Sequence, residues 1–107
     1  MPVDEYIRDS VIQGFEYTYE SAWKLMRRVL LHEIGLTGAE GAARRELFRM
    51  AAQEGLIPDP MPWFEFHDAR NLTSHLYDER AAERVYQVAG RFLPEVRALA
   101  VRLRRYA

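Results

Sequence analysis

The sequence predicts an all-helical bundle, and three observations carry that prediction. Apolar residues recur at helical spacing, with no useful run of alternation. β-branched clusters are few, and no Asn-Gly or Asp-Gly pair marks a hairpin. Glycines and prolines gather in groups that cut the chain into four to five helical segments. Short connections between them predict up-and-down, antiparallel packing.

The first segment runs from about Asp4 to Ile34. Ile7, Val11, Phe15, Ala22, Leu25 and Val29 lie near one stripe, which Tyr19, Trp23, Met26 and Leu30 widen. Without an internal proline it forms a rod of roughly 45 Å. Its apolar surface exceeds what a one-sided amphipathic helix needs, as for a central helix or one that also meets a second subunit. Gly35, Gly38 and Gly41 make the first loop. A second helix spans about Ala42 to Glu54, with Leu47, Phe48, Met50 and Ala51 inward and Gly55 as its left-handed stop. Pro58, Pro60 and Pro62 form a stiff connector, and Pro62 suits the first turn of a third helix reaching Leu76. Asp78 reads as the N-cap of a fourth helix, from Glu79 to about Gly90. Pro94 kinks or restarts a last helix carrying Val96, Leu99 and Leu103.

A chain of 107 residues is expected to form one domain, residues 1–107, large enough to fold around its own core. The hydrophobic fraction of 49% and charged fraction of 29% exclude a disordered chain. No stretch reaches the ~18 apolar residues of a membrane span, and no signal peptide opens the sequence, so a cytoplasmic protein is expected. Cysteine is absent, which excludes disulfides, thiol catalysis and thiolate metal sites. The formal net charge of −1 excludes a protein that coats nucleic acid by bulk charge, while a local basic patch stays open. Of fifteen cations only Lys24 is a lysine. Arginine suits bidentate phosphate contacts, yet such a bias also follows from genome composition or thermal adaptation.

The segment from Asp68 to Asp78 carries the chemistry. At about 100° per residue, Ser74 falls about 40° from Arg70, Asn71 about 100° and His75 about 140°, with Tyr77 about 20° to the other side. Leu72 and Leu76 fall opposite and anchor the helix. One arc therefore displays a permanent cation, a group titrating near neutrality and several hydrogen-bond donors. Such an arc can serve phosphodiester chemistry. His75 can take a proton from a ribose 2′-hydroxyl or give one to the leaving oxygen. Arg70 can hold the phosphate and its developing charge. Asn71 can orient the imidazole or touch a phosphate oxygen. The same residues also compose the polar outer face of an ordinary bundle helix, and spacing alone leaves both readings open.

Two blocks resemble a known family. Arg70-Asn-Leu-Thr-Ser-His75-Leu-Tyr77 matches R-x4-H-x-Y, the signature of HEPN-domain proteins. The run from Arg8 to Lys24, and Tyr77-Asp78-Glu79 leading into a helix with Tyr86, resemble that family's nucleotidyltransferase substrate-binding branch. The resemblance covers nearly the whole chain. It implies a helical bundle, usually a homodimer, with the R-x4-H arcs of two subunits facing one cleft. It implies a toxin that cleaves RNA without metal or cofactor, with Arg70 and His75 catalytic and Asn71 assisting. It further implies a minimal nucleotidyltransferase antitoxin, encoded by an adjacent gene, that transfers AMP to Tyr77. The branch's older description implies the alternative, a non-catalytic substrate-binding subunit of a two-component nucleotidyltransferase. Two departures stand out. Such proteins usually carry a further helix before the Arg8 block, and an arginine is common where Gly14 stands, so close packing or lost function is expected there.

Other residues admit paired readings. His67 and His75 could begin a zinc site with Asp68 and Glu65, though such a site needs four ligands. His32 near a helix end can simply complement the helix dipole. Trp63, Phe64 and Phe66 could stack on bases or form core and dimer contacts. Arg97, Arg102, Arg104 and Arg105, balanced only by Glu95, could extend an RNA path, with Ser74, Arg102 and Arg105 in contact, or form a solvated helix end. Glu16 and Glu20, one turn apart, could face the motif helix or a partner.

Overall fold

Helix α1 (Val3–Arg28) opens with Asp4 and Glu5 and closes with Arg27 and Arg28, charges that complement its dipole at both ends. The computed structural model describes residues 2–106. A π-helical turn, Val29–Ile34, prolongs α1 to the predicted end. Gly35 then takes φ 87°, and the Leu36 amide donates back to the Leu30 carbonyl at 2.8 Å. A side chain is strained at that φ, which explains the glycine. A 3₁₀ turn at Thr37–Ala39 leads into α2 (Arg44–Gln53). Helix α2 is bounded, as expected, by Gly55 at φ 79°, with the Leu56 amide donating to Ala51 O.

Helix α3 (Met61–Leu72) carries its proline in the first turn, and Asp59 accepts from the Met61 amide. Helix α4 (Glu79–Leu103) starts at the predicted cap: Asp78 Oδ1 accepts from the Arg80 amide at 2.9 Å. The expected break between Gly90 and Pro94 does not occur, and α4 runs through both. Pro94 removes the amide that would bond the Gly90 carbonyl, and both residues sit on the exposed side, where water can serve that carbonyl. Val85, Val88, Ala89 and Phe92 before the proline, and Leu99 after it, are buried in one stripe. Burying that stripe on both sides offsets the roughly 3 kcal/mol a proline costs inside a helix.

The stripe on α1 is also rotated from the expected one. Ile12, Phe15, Tyr19, Ala22, Trp23, Met26, Val29 and Leu30 are buried, whereas Ile7, Val11 and Leu25 are exposed. Phe92 is the centre of the core, meeting Phe15, Trp63 and Phe66 edge-on with ring centroids 5.0–5.7 Å apart. Trp63, Phe64 and Phe66 are therefore core residues, and the base-stacking reading is withdrawn. Arg45 and Arg49 cover the Phe64 ring from outside.

Helices α2 and α3 pack antiparallel, as do α3 and α4, where Glu65 pairs with Arg84 and Arg91. Helices α1 and α4 lie side by side in the same direction. Arg8 pairs with Glu79 and Glu83, Phe15 meets Phe92, and Leu25 lies beside Leu103. The α2–α3 hairpin crosses α1 near Tyr19, and this crossing brings the end of α3 onto the middle of α1.

Candidate functional site

The α-helical wheel of the motif holds only to Leu72. A 3₁₀ turn, Thr73–His75, follows, and residues 76–78 form the bend into α4. The cause is local chemistry. Thr73 Oγ1 donates to the Arg70 carbonyl at 2.6 Å, and Ser74 Oγ donates to the Asn71 carbonyl at 2.8 Å. Hydroxyls that take helix carbonyls compete with the backbone ladder and tighten the last turn. Leu72 still packs on the core, but Leu76 is 36% exposed and anchors nothing.

Arg70 is held from two sides. Its Nε donates to Glu20 Oε1 at 3.1 Å, and its Nη1 donates to Thr73 Oγ1 at 2.7 Å. The second carboxylate oxygen of Glu20 accepts from Trp23 Nε1 at 3.1 Å, so α1 fixes the carboxylate before it meets the arginine. Among the described residues nothing bonds Nη2, which stays available for a phosphate oxygen. Of Glu16 and Glu20, the latter makes this contact, while Glu16 lines the open groove beside Arg70. Thr73 was not among the expected site residues. Its position three residues after the arginine was the available signal.

His75 and Tyr77 form the second part of the site. His75 Nδ1 lies 3.2 Å from the Tyr77 hydroxyl, and the rings meet edge-on. Tyr77 is 86% exposed, so its phenol can be reached from solvent. Asn71 and Ser74 are exposed on the same turn. Among the described residues no hydrogen bond or ion pair joins Arg102 or Arg105 to this group. The end of α4 packs on the flank of α1 formed by Thr18, Ser21, Ala22 and Leu25.

His67 is engaged elsewhere. Its Nδ1 lies 2.9 Å from Tyr19 OH, deep against α1. Burial lowers the His67 pKa, and the nearby Arg44 charge adds to this. Burial raises the Tyr19 phenol. The proposed companion Glu65 pairs with Arg84 and Arg91, and Asp68 pairs with Arg45. Among the described residues no group of three histidine or acidic side chains could hold a metal. Among the described residues no helix is long and apolar enough to cross a membrane.

A helical bundle that carries R-x4-H-x-Y at the end of one helix, with a half-exposed arginine and an exposed histidine, is of the HEPN class. Residues 1–105 match the family described as nucleotidyltransferase substrate binding protein like, and the chain belongs to that family. It is 37% identical over 103 residues to "Probable ribonuclease HepT" of Haemophilus influenzae, covering 95% of this chain and 70% of that protein. A solved structure from the same organism, described as the fold of a substrate-binding domain of a nucleotidyltransferase, superposes with a TM-score of 0.88. That match has 34% identity and covers 97% of this chain and 79% of the other.

Proposed function

We propose that the protein is a metal-independent endoribonuclease of the toxin type, acting as a homodimer and restrained by a minimal nucleotidyltransferase. The observation that carries this reading is the state of Arg70. Its guanidinium is fixed by Glu20 and Thr73 on one side and open at Nη2 on the other, on the same turn as the exposed His75. A preorganised cation of this kind stabilises phosphate charge at little reorganisation cost.

In this scheme His75 takes the proton of a ribose 2′-hydroxyl. The 2′-oxygen forms a bond to phosphorus, and the bond to the 5′-oxygen breaks. The leaving oxygen takes a proton from His75 of a second copy. The products are a 2′,3′-cyclic phosphate and a free 5′-hydroxyl. Arg70 holds a non-bridging oxygen throughout, and Asn71 assists from the same turn. Arg70→Ala and His75→Ala are expected to lower RNA cleavage by at least about 100-fold while the helical circular dichroism is kept. Full cleavage in either variant would defeat the reading.

Restraint acts at Tyr77. Its hydroxyl attacks the α-phosphorus of ATP, pyrophosphate leaves, and the phenolic proton passes to solvent or a base on the partner. The added phosphate charge and bulk then block the space beside His75. The exposure of Tyr77 supports this, as does the name of the family. Such a pair would work in the cytoplasm, where RNA and ATP are found. The second reading, a non-catalytic substrate-binding subunit, is favoured by the description of the solved relative. It predicts a complex with the nucleotidyltransferase and no cleavage by the chain alone. Mass spectrometry after mixing both proteins with ATP reads the modification, and Tyr77→Phe should abolish the AMP adduct.

A further inference from the structure

Beyond the motif, one indole collects cations. The Arg44 guanidinium carbon lies over the Trp23 ring, 3.3 Å from its centroid. Arg27 stands at 4.8 Å and Lys24 at 5.7 Å from the same ring. Among the described residues none of the three forms an ion pair. Arg44 Nε is buried without a partner. The three other arginines of α2 and α3 are all paired: Arg45 with Asp68, Arg49 with Glu46, Arg70 with Glu20.

The collar is joined to the candidate site through one carboxylate. Glu20 accepts from the Trp23 indole with one oxygen and from Arg70 with the other. Glu20, Trp23, Lys24 and Arg27 share one face of α1 at spacings of three and four residues. Along the same face runs an open groove lined by Lys24, Arg70 and the 79% exposed Tyr17, with Glu16 and Glu20 also on its wall. Trp23 itself is buried, so the cations that cover it supply phosphate contacts, and the exposed Tyr17 beside them is the ring on which a base of a single strand can stack.

We propose that Lys24, Arg27 and Arg44 form a phosphate-binding track that carries single-stranded RNA away from Arg70 across α1 toward α2. The track deepens the ribonuclease reading and rests on it. It places the RNA on the Glu20–Arg27 face of α1, whereas the end of α4, which carries Arg102 and Arg105, packs on the flank formed by Thr18, Ala22 and Leu25.

The test uses the full chain in a His75→Ala background, so that the RNA stays intact, with a fluorescently labelled single-stranded RNA as probe. Binding is measured as a function of salt. Each phosphate contact contributes about 0.7 to the slope of log affinity against log salt for single strands. Arg27→Gln with Arg44→Gln is expected to reduce that slope by about 1.4. Affinity should also fall at least about tenfold, since affinity and slope report the same contacts. Lys24→Gln with Arg27→Gln, which leaves the stacked Arg44 in place, should reduce the slope similarly. Arg102→Gln with Arg105→Gln removes the same charge and should change the slope far less. An unchanged slope in both collar variants, with wild-type circular dichroism, overturns the track. If wild-type protein cleaves RNA at the same time, the ribonuclease reading survives that loss. If the collar variants bind RNA normally but lose the nucleotidyltransferase, the patch is a protein-docking surface and the proposal is wrong. A protein that neither binds nor cleaves RNA overturns the track and the ribonuclease reading together.

Discussion

Arg70 shows what one side chain gains from its neighbours. Alone it would sweep many rotamers; between Glu20 and Thr73 it keeps one. Glu20→Gln should therefore lower RNA cleavage by up to about 100-fold, through misplacement of the guanidinium. The melting temperature should barely move, because the pair is half exposed and such pairs add little to stability. Rate measurement beside thermal melts separates the two effects. His67 gives a second expectation. Its pKa is lowered in the fold, so the unfolded chain binds more protons between the folded value and the ordinary imidazole value of 6.5. Stability should then fall as pH drops below 6.5, and level off once the folded His67 is also protonated. Denaturant titrations across that window should show the fall, and His67→Gln should remove it. The residue types Arg70, Asn71, Ser74, His75 and Tyr77 stand close in the sequence, but the continuous helical arc expected of them ends at Leu72, where the 3₁₀ turn begins. The clamp was only half legible. Glu20 is fifty residues away, and the crossing of α3 over α1 is a tertiary fact that no local pattern encodes.

The helices differ in how fully the chain announces them. The starts of α3 and α4 and the stop of α2 depend on local chemistry, namely a proline in the first turn, an aspartate cap and a left-handed glycine. These were all readable. Pro94 misled because local propensity there is overruled by burial on both sides of it. The 3₁₀ turn after α3 misled for the opposite reason, since two hydroxyls ended a helix that periodicity would have continued. Gly14 offers a test of helix energetics. A methyl group there would meet nothing within 4 Å, so the close packing expected of it is absent. Gly14→Ala should stabilise the protein by about 0.5–1 kcal/mol in chemical denaturation. A loss of stability instead would mean that the glycine serves a contact with another molecule.

Across the whole molecule, the core is an aromatic cluster hung on Phe92. Phe92→Ala should cost about 3–5 kcal/mol and lower the midpoint of unfolding accordingly. The near-zero net charge hides a sorted surface. Acidic and basic groups pair along the α1–α4 and α3–α4 seams, while among the described residues Lys24, Arg27 and Arg44 around Trp23 form no ion pair. Binding to RNA should therefore weaken steeply with salt despite a formal charge of −1. Sedimentation at working concentration should find two copies together, because one copy offers a single His75 for two proton transfers. The most direct test of the central claim is the chemistry of the cut ends. The account predicts that wild-type protein treated with a chelator leaves 2′,3′-cyclic phosphate and 5′-hydroxyl termini on RNA, and that His75→Ala leaves none. Cleavage that needs added metal, or that His75→Ala retains, would contradict it.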